Sequence, residues 1–325
     1  MTTLPHVLIL TEANDPHVDM VLPELEKQGC RWSRFDPNDL LHQQGEVSAF
    51  MTERGWSSVW CSSNQRIDFD TVTAVWWRRP TPLKAPDDLP PMQQEFVTNE
   101  ARYGLLGLLR SLPTFWVNHP AANHQANFKP TQLQVARHLG FHVPPTLLTN
   151  EPDAFRQFYD QHHGNIVYKM IGTSVLWDND VPVTTYTQLV TPEMLQYAEQ
   201  IRYTTHLFQA YVPKRCELRV IVMGENLFAV EIHNQQSTRA RIDWRMQYAD
   251  LRYEIHTLPM SIQQRIHALM RHFGLVYGAI DMIITPEAEY QFLEINANGQ
   301  FAWLDEATGL PLFRTLAALL ARQES

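Results

Sequence analysis

Cysteine is scarce in this chain: three residues in 325, Cys30, Cys61 and Cys216, with no CxxC pair among them. A disulfide framework is therefore not expected, and reduced thiols are. Basic charge is also short, with 26 Lys and Arg against 35 Asp and Glu and a formal net charge of −9. General nucleic-acid binders neutralise phosphates with surplus Lys and Arg, so that class is not expected. Long apolar runs are missing: Tyr103–Leu109 and Leu316–Ala321 are far too short to span a bilayer. The opening MTTLPHVLIL lacks the basic start, long apolar core and small-residue cleavage site of a secretion signal. No internal repeat or low-complexity tract interrupts the chain. What remains is an ordinary globular balance, 44% hydrophobic and 19% charged, in a length that allows two or three lobes. The expected location is the cytoplasm, with no membrane partner.

The first 118 residues read as a small α/β domain. Strand signals at Val7–Leu10, Arg31–Phe35, Ser58–Cys61 and Ala74–Arg79 alternate with helical stretches, which predicts a mainly parallel open sheet. A proline-rich stretch from Pro80 to Pro91 leads into an amphipathic helix over about 92–112. The remainder reads as α+β, in a central lobe over 119–205 and a C-terminal lobe over 206–325. Helices are expected near 128–139, 152–161, 192–201 and 261–272, and strands at Thr146–Thr149, Ile166–Met170, His206–Val212, Glu217–Met223 and Leu227–His233. A polar loop is expected between Met170 and Gln188.

The most informative segment is Tyr277–Asn298. Tyr277–Thr285 alternates as a strand, Pro286-Glu287-Ala288-Glu289 reads as a four-residue loop, and Tyr290–Ile295 reads as the returning strand. Pairing Thr285 with Tyr290 places Asp281 directly opposite Glu294. Because side chains alternate, Asn296 shares the face of Glu294, while Ile280, Met282 and Ile284 turn to the other. Like charges opposite one another on a ladder are destabilising, so this register asks for a compensating cation. An all-oxygen set with few protein ligands suits Mg²⁺, which keeps positions for water and substrate phosphates.

Asp281 in YGAIDMIIT and Glu294 and Asn296 in FLEINANGQ resemble the metal-binding hairpin of the ATP-grasp superfamily. TAVWWRRP in the first lobe, RIDWR at Arg241–Arg245 and EINANGQFAWLDEATGLPL together resemble the graspetide (microviridin-type) peptide cyclases. Those ATP-grasp enzymes install side-chain ester or amide links in ribosomal precursor peptides. The resemblance implies an ATP-grasp fold behind an N-terminal pre-ATP-grasp α/β domain, with ATP and two Mg²⁺ ions as cofactors. It implies a precursor peptide as partner, a leader followed by an Asp/Glu- and Thr/Ser-rich core, and a homodimer.

The resemblance also implies a nucleotide site. Lys129, at the start of a helix where the N-terminal dipole favours phosphate, fits one phosphate-binding lysine. Lys169, on an apolar strand, fits the other. Gln209, Ala210, Tyr211 and Val212 resemble the linker that pairs with adenine, although many relatives carry Glu where this chain has Ala210. Glu217 matches the acidic residue that takes the ribose hydroxyls. Arg219 shares its face and would point at the phosphates, and Arg241 is a second candidate for transition-state charge. Arg239, Arg241 and Arg245 could bind a carboxylate-rich substrate; no dedicated general base stands out, with Asp243 and His233 as the candidates. The loop after Lys169, a glycine-rich flap in relatives, holds only Gly172. The expected chemistry is phosphorylation of an Asp or Glu side chain to an acyl phosphate, then attack by a Ser/Thr hydroxyl or Lys amine. The alternative is a ligase of the same superfamily acting on a free amino acid or a protein C-terminus.

Overall fold

The computed structural model describes residues 4–172, 175–178, 181–184, 186–233 and 251–322. Two compact units emerge, one made of 1–123, 274–277 and 298–325, the other of 124–273 and 278–297.

The first unit is organised on β1 (His6–Thr11), α1 (Pro16–Lys27), β2 (Arg31–Phe35), β3 (Gly45–Thr52), β4 (Gly55–Ser62), β5 (Arg66–Asp68), β6 (Ala74–Arg79), α2 (Pro91–Arg110) and β7 (Phe115–Val117). A parallel sheet runs in the order β2-β1-β6-β7. All six residues of β1 are buried, which explains its continuous apolar run: a parallel strand covered on both faces has no polar side. The strand expected at Ser58–Cys61 exists but does not join this sheet. It lies inside β4, and β3-β4-β5 form a separate antiparallel sheet. The Phe35 and Trp60 rings stack at 4.4 Å in a core shared with Ile67, Phe69, Leu105 and Leu109. A Cβ on Gly45 would come 2.0 Å from Trp60 Cζ2, so the strand carries glycine there because the indole lies against the backbone.

The chain's last two helices, Ala302–Thr308 and Leu312–Leu320, belong to this first unit, and the second packs on α1. Their ends are capped by side chains. His17 Nε2 accepts from the Phe301 and Ala302 N–H groups, each at 3.2 Å, and Asp305 Oδ2 accepts from Leu312 and Phe313. Both satisfy donors that the first turn of a helix leaves without partners.

The chain leaves the first unit within α3 (Pro120–Ala126). The second unit contains α4 (Lys129–His138), β8 (Thr146–Thr149), α5 (Pro152–Gln161), β9 (Ile166–Lys169), β10 (Val175–Asp178), β11 (Val181–Thr184), β12 (Gln188–Leu189), β13 (His206–Ala210), β14 (Cys216–Met223), β15 (Asn226–His233), β16 (Arg252–His256), α6 (Met260–Phe273), β17 (Tyr277–Ile284) and β18 (Tyr290–Asn296). A four-stranded antiparallel sheet runs β12-β9-β13-β8 and a five-stranded sheet runs β16-β15-β14-β17-β18. Residues 175–178 and 181–184, expected as loop, instead supply the antiparallel pair β10-β11; β-branched Val175, Val181, Val183 and Thr184 favour that outcome. The helix expected near 192–201 is a 3₁₀ helix over Pro192–Tyr203.

The β17–β18 hairpin reaches its register by an unexpected route. Thr285 pairs with Glu289, not Tyr290: its N–H donates to the Glu289 carbonyl at 2.9 Å, and Ala288 N–H donates back to Thr285 at 3.0 Å. Ala288 takes φ of +64°, the left-handed residue that closes a three-residue hairpin loop. Ile284 therefore faces Tyr290, one residue off the expected pairing. A bulge at Leu293 then restores the offset, and Asp281 faces Glu294 as expected.

A candidate nucleotide and metal site in the second unit

Every residue of this site lies in the second unit. A cleft of about 160 Å³ is lined by Lys129, Pro144, Val167, Lys169, Met170, Gly172, Tyr186, Thr187, Gln209, Ala210, Tyr211, Val212, Lys214, Glu217, Asp281, Ile283, Leu293, Glu294 and Asn296. The lining is divided by chemistry. Val167, Met170, Ile283 and Leu293 offer apolar walls, while Lys129, Lys169, Lys214, Glu217, Asp281 and Glu294 carry charge.

Asp281 and Glu294 converge because they face one another across β17 and β18. Asn296 Nδ2 sits 3.3 Å from both Asp281 Oδ2 and Glu294 Oε1. Arg219 Nη1 reaches both Asp281 oxygens, at 2.7 and 2.8 Å, and Lys129 Nζ lies 2.9 Å from Glu294 Oε2. The hairpin thus holds its two acids together with cations from β14 and from the first turn of α4. The donor set fits a hard divalent ion: four carboxylate oxygens and an amide that presents its own oxygen once turned over, with polar cleft beside them.

The remaining residues are placed as follows. Lys169 Nζ donates to Gln209 Oε1 at 3.0 Å, and Gln209 Nε2 donates to Thr146 Oγ1 at 2.9 Å. The buried Gln209 side chain therefore orients Lys169, and Gln209 lines the cleft together with Ala210, Tyr211 and Val212. The Ala210 N–H donates to Pro145 and the Tyr211 N–H to Asn165. Glu217, 9% exposed, forms an ion pair with Lys214. Arg219 lies against Asp281, itself a residue of the cleft wall. Arg239, Arg241, Asp243 and Arg245 lie outside the described residues.

Sequence reasoning missed Lys214, Ile283 and Leu293. Alternation from Asp281 marks Ile283 as a cleft residue, and Lys214 stands three residues before Glu217. Leu293 had no signal, because only the bulge turns it into the cleft. On the other face of the same sheet, burial first and the Glu231 carboxylate second push the Cys216 thiol up to about 12, which removes it as a nucleophile at neutral pH.

A parallel-sheet unit joined in one chain to a unit of two main sheets with a carboxylate hairpin, paired lysines and an apolar-walled cleft defines an ATP-grasp ligase. The comparisons narrow this. The family description MvdD pre-ATP grasp domain matches residues 6–124. The chain is 32% identical to macrocyclase MdnC of Microcystis aeruginosa MRC, solved bound with precursor peptide MdnA, over 97% of this chain and 98% of that one, with TM-score 0.85. It is 29% identical to a RiPP-associated ATP-grasp ligase of Chryseobacterium gregarium, solved with ADP and a leader and core peptide, over 99% and 98%, with TM-score 0.90. Macrocyclase MdnB of Microcystis aeruginosa MRC is 32% identical over 97% and 99%, with TM-score 0.81. Among proteins of curated function, none matches the sequence. The chain belongs to the graspetide ATP-grasp family of peptide macrocyclases. Among the described residues no helix is long and apolar enough to cross a membrane.

Proposed function

We propose that this protein uses ATP to link side chains within a ribosomal precursor peptide. An Asp or Glu carboxylate of the peptide attacks the γ-phosphorus, ADP leaves, and an acyl phosphate forms. A Ser/Thr hydroxyl or Lys amine then attacks the acyl carbon, phosphate leaves, and the attacking group gives up its proton to solvent or phosphate. The product is an ω-ester or ω-amide crosslink. The observation that carries this reading is the convergence of Asp281, Glu294 and Asn296 beside a cleft that also holds Lys129 and Lys169.

In our assignment Asp281, Glu294 and Asn296 would hold Mg²⁺, two ions by analogy, which would neutralise charge on the phosphoryl group in transfer. Lys129 and Lys169 bind the phosphates, and Gln209 fixes the direction of Lys169. Arg219 positions Asp281 by its bidentate grip. The Ala210 and Tyr211 N–H groups are already bonded, so adenine recognition falls to the Val212 N–H and linker carbonyls; no Ala210 side chain is needed. Glu217, oriented by Lys214, takes the ribose. Arg241 remains our second candidate for transition-state charge, with Arg239, Asp243 and Arg245 for the peptide. We assign the nucleotide site to the lobes over 119–205 and 206–325, and 1–118 as the pre-ATP-grasp domain. We place the enzyme in the cytoplasm, as a homodimer making microviridin-type products.

The test is intact mass of a short Asp/Glu- and Thr/Ser-rich peptide encoded nearby, after incubation with the protein, ATP and Mg²⁺. ATP-dependent loss of water, one per link, is expected, and hydroxide lability separates esters from amides. No mass change, with ADP formed only when free amino acids are added, would replace this reading by the small-substrate ligase.

A further inference from the structure

The five-stranded sheet has two faces, and the nucleotide cleft uses only one. Glu217 on β14 lines the cleft, so alternation turns Cys216 and Leu218 the other way. Leu218 pairs with Glu231 on β15 and Glu231 with Glu254 on β16, which puts Glu231 and His233 on the second face as well. There Cys216 Sγ lies 3.4 Å from Glu231 Oε2, and His233 Nε2 lies 3.0 Å from the same oxygen. One donor atom from each of Cys216, Glu231 and His233 falls within 4.8 Å of the other two. A tetrahedral zinc ion with bonds of about 2.0–2.3 Å separates its oxygen and nitrogen ligands by about 3.3 Å and its sulfur and oxygen ligands by about 3.5 Å. The separations in the protein, 3.4 and 3.0 Å, fall within about 0.3 Å of those edges.

The two oxygens of Glu231 have different company. His256 Nδ1 lies 2.7 Å and Arg215 Nη2 3.2 Å from Oε1, and His256 Nε2 is anchored in turn 2.8 Å from the Tyr290 hydroxyl. Oε2 is left facing the thiol and the imidazole. Fixing one oxygen of a carboxylate while presenting the other is how outer residues orient a metal ligand. His233 Nε2 is buried and makes no hydrogen bond, although a carboxylate oxygen stands 3.0 Å away. A nitrogen lone pair facing a carboxylate is repulsive unless a proton or a cation lies between them.

We propose that Cys216, Glu231 and His233 bind one divalent ion of the zinc type, separate from the nucleotide cleft. Glu254 Oε2, 3.7 Å from His233 Nε2, or a water completes the tetrahedron. Thiol sulfur, imidazole and a single carboxylate oxygen form a borderline-soft set, which selects zinc over Mg²⁺. On binding, the Cys216 S–H bond breaks, its proton goes to solvent, and a sulfur–metal bond forms. The site joins β14 to β15, and to β16 where Glu254 takes part, on a face where the nucleotide chemistry has no role.

The test uses the full-length protein, stripped with a chelator and titrated with Co²⁺, then with Zn²⁺ in competition. One equivalent of Co²⁺ per chain is expected to raise a sulfur-to-cobalt charge-transfer band, which one equivalent of Zn²⁺ abolishes; Co²⁺ taken up at Asp281 and Glu294 adds nothing to that band. The cleft around Asp281 and Glu294 is lined by no cysteine, so a thiolate band reports the proposed site alone. Cys216→Ser should remove the band, His233→Gln should weaken Zn²⁺ at least tenfold, and Cys61→Ser should leave both unchanged. Absence of the band in the wild-type protein, its survival in Cys216→Ser, or unaltered Zn²⁺ affinity in a folded His233→Gln protein overturns the proposal.

Discussion

Each unit holds an aspartate–arginine pair, and the two pairs do opposite things. In the first unit Arg78 Nε lies 3.2 Å from Asp15 Oδ2, both side chains being 3% exposed. Thr11 Oγ1 and the His17 N–H also donate to Asp15, and Arg78 Nη1 donates to the Asn298 carbonyl at 2.9 Å. Burial works against the Arg78 charge, and Asp15 opposes it. One acid meets one base and the surroundings close over both, which ties β6, the start of α1 and the turn after β18. In the second unit Asp281 is 21% exposed and its Arg219 8%. A second acid, Glu294, stands beside Asp281, and lysines replace apolar cover. The first pair is sealed and can only hold the chain. The second keeps an open side, with a surplus of oxygens that a divalent ion can use. A guanidinium on a buried carboxylate is therefore no sign of function by itself; the neighbouring charges and the exposure decide.

The contrast is sharpest when each pair is attacked in turn. Glu294→Gln removes a proposed metal ligand from the open site, and ADP release should fall by about a thousandfold or more. Its melting temperature should stay within a few degrees of wild type. Normal turnover in that variant removes the metal assignment. Arg78→Ala leaves Asp15 buried without its counter-charge and should cost about 3–5 kcal/mol in urea unfolding; a cost under about 1 kcal/mol would mean the first pair is not a lock.

The third prediction concerns pH. Burial, with Arg78 next in importance for His17 and Arg31 for His6, lowers both rings from 6.5 to about 4. The unfolded chain takes up these protons near pH 6.5 and the folded chain does not. Their effect is absent above about pH 6.5, and stability falls as pH drops from there towards 4. The loss should reach up to about 3 kcal/mol for each histidine, read as urea midpoints across that window. A flat profile would show that the rings protonate in place. Smallest of the four, Lys169→Ala should weaken nucleotide binding about tenfold, close to 1.4 kcal/mol by calorimetry; unchanged affinity would place the phosphates elsewhere.

Much of the second unit was legible because its signals are local. Alternation in YGAIDMIIT and FLEINANGQ put Asp281, Glu294 and Asn296 on one face, and that face is where they stand. Even so, the expected loop was one residue too long, and the answer survived only because the bulge at Leu293 compensates for the shorter turn. The strand at Ser58–Cys61 was recognised but put in the wrong sheet, since a strand signal says nothing about its partner. That the Gln209 side chain holds Lys169 had no signal; a sequence lists neighbours along the chain, not across β9 and β13.

By itself, then, the sequence determined the alternation of strands and helices, the all-oxygen hairpin, the two lysines and the family to which the chain belongs. These depend on side-chain period, helix position and residue chemistry, which neighbours a few places away settle. Only the tertiary structure decided that the last two helices close the first unit through His17, that Arg219 grips Asp281, and that Cys216, Glu231 and His233 meet on the far face of a sheet. Those contacts join residues as far apart as 285 positions, and packing and pairing choose them because burial leaves each polar group only the partners the fold brings to it.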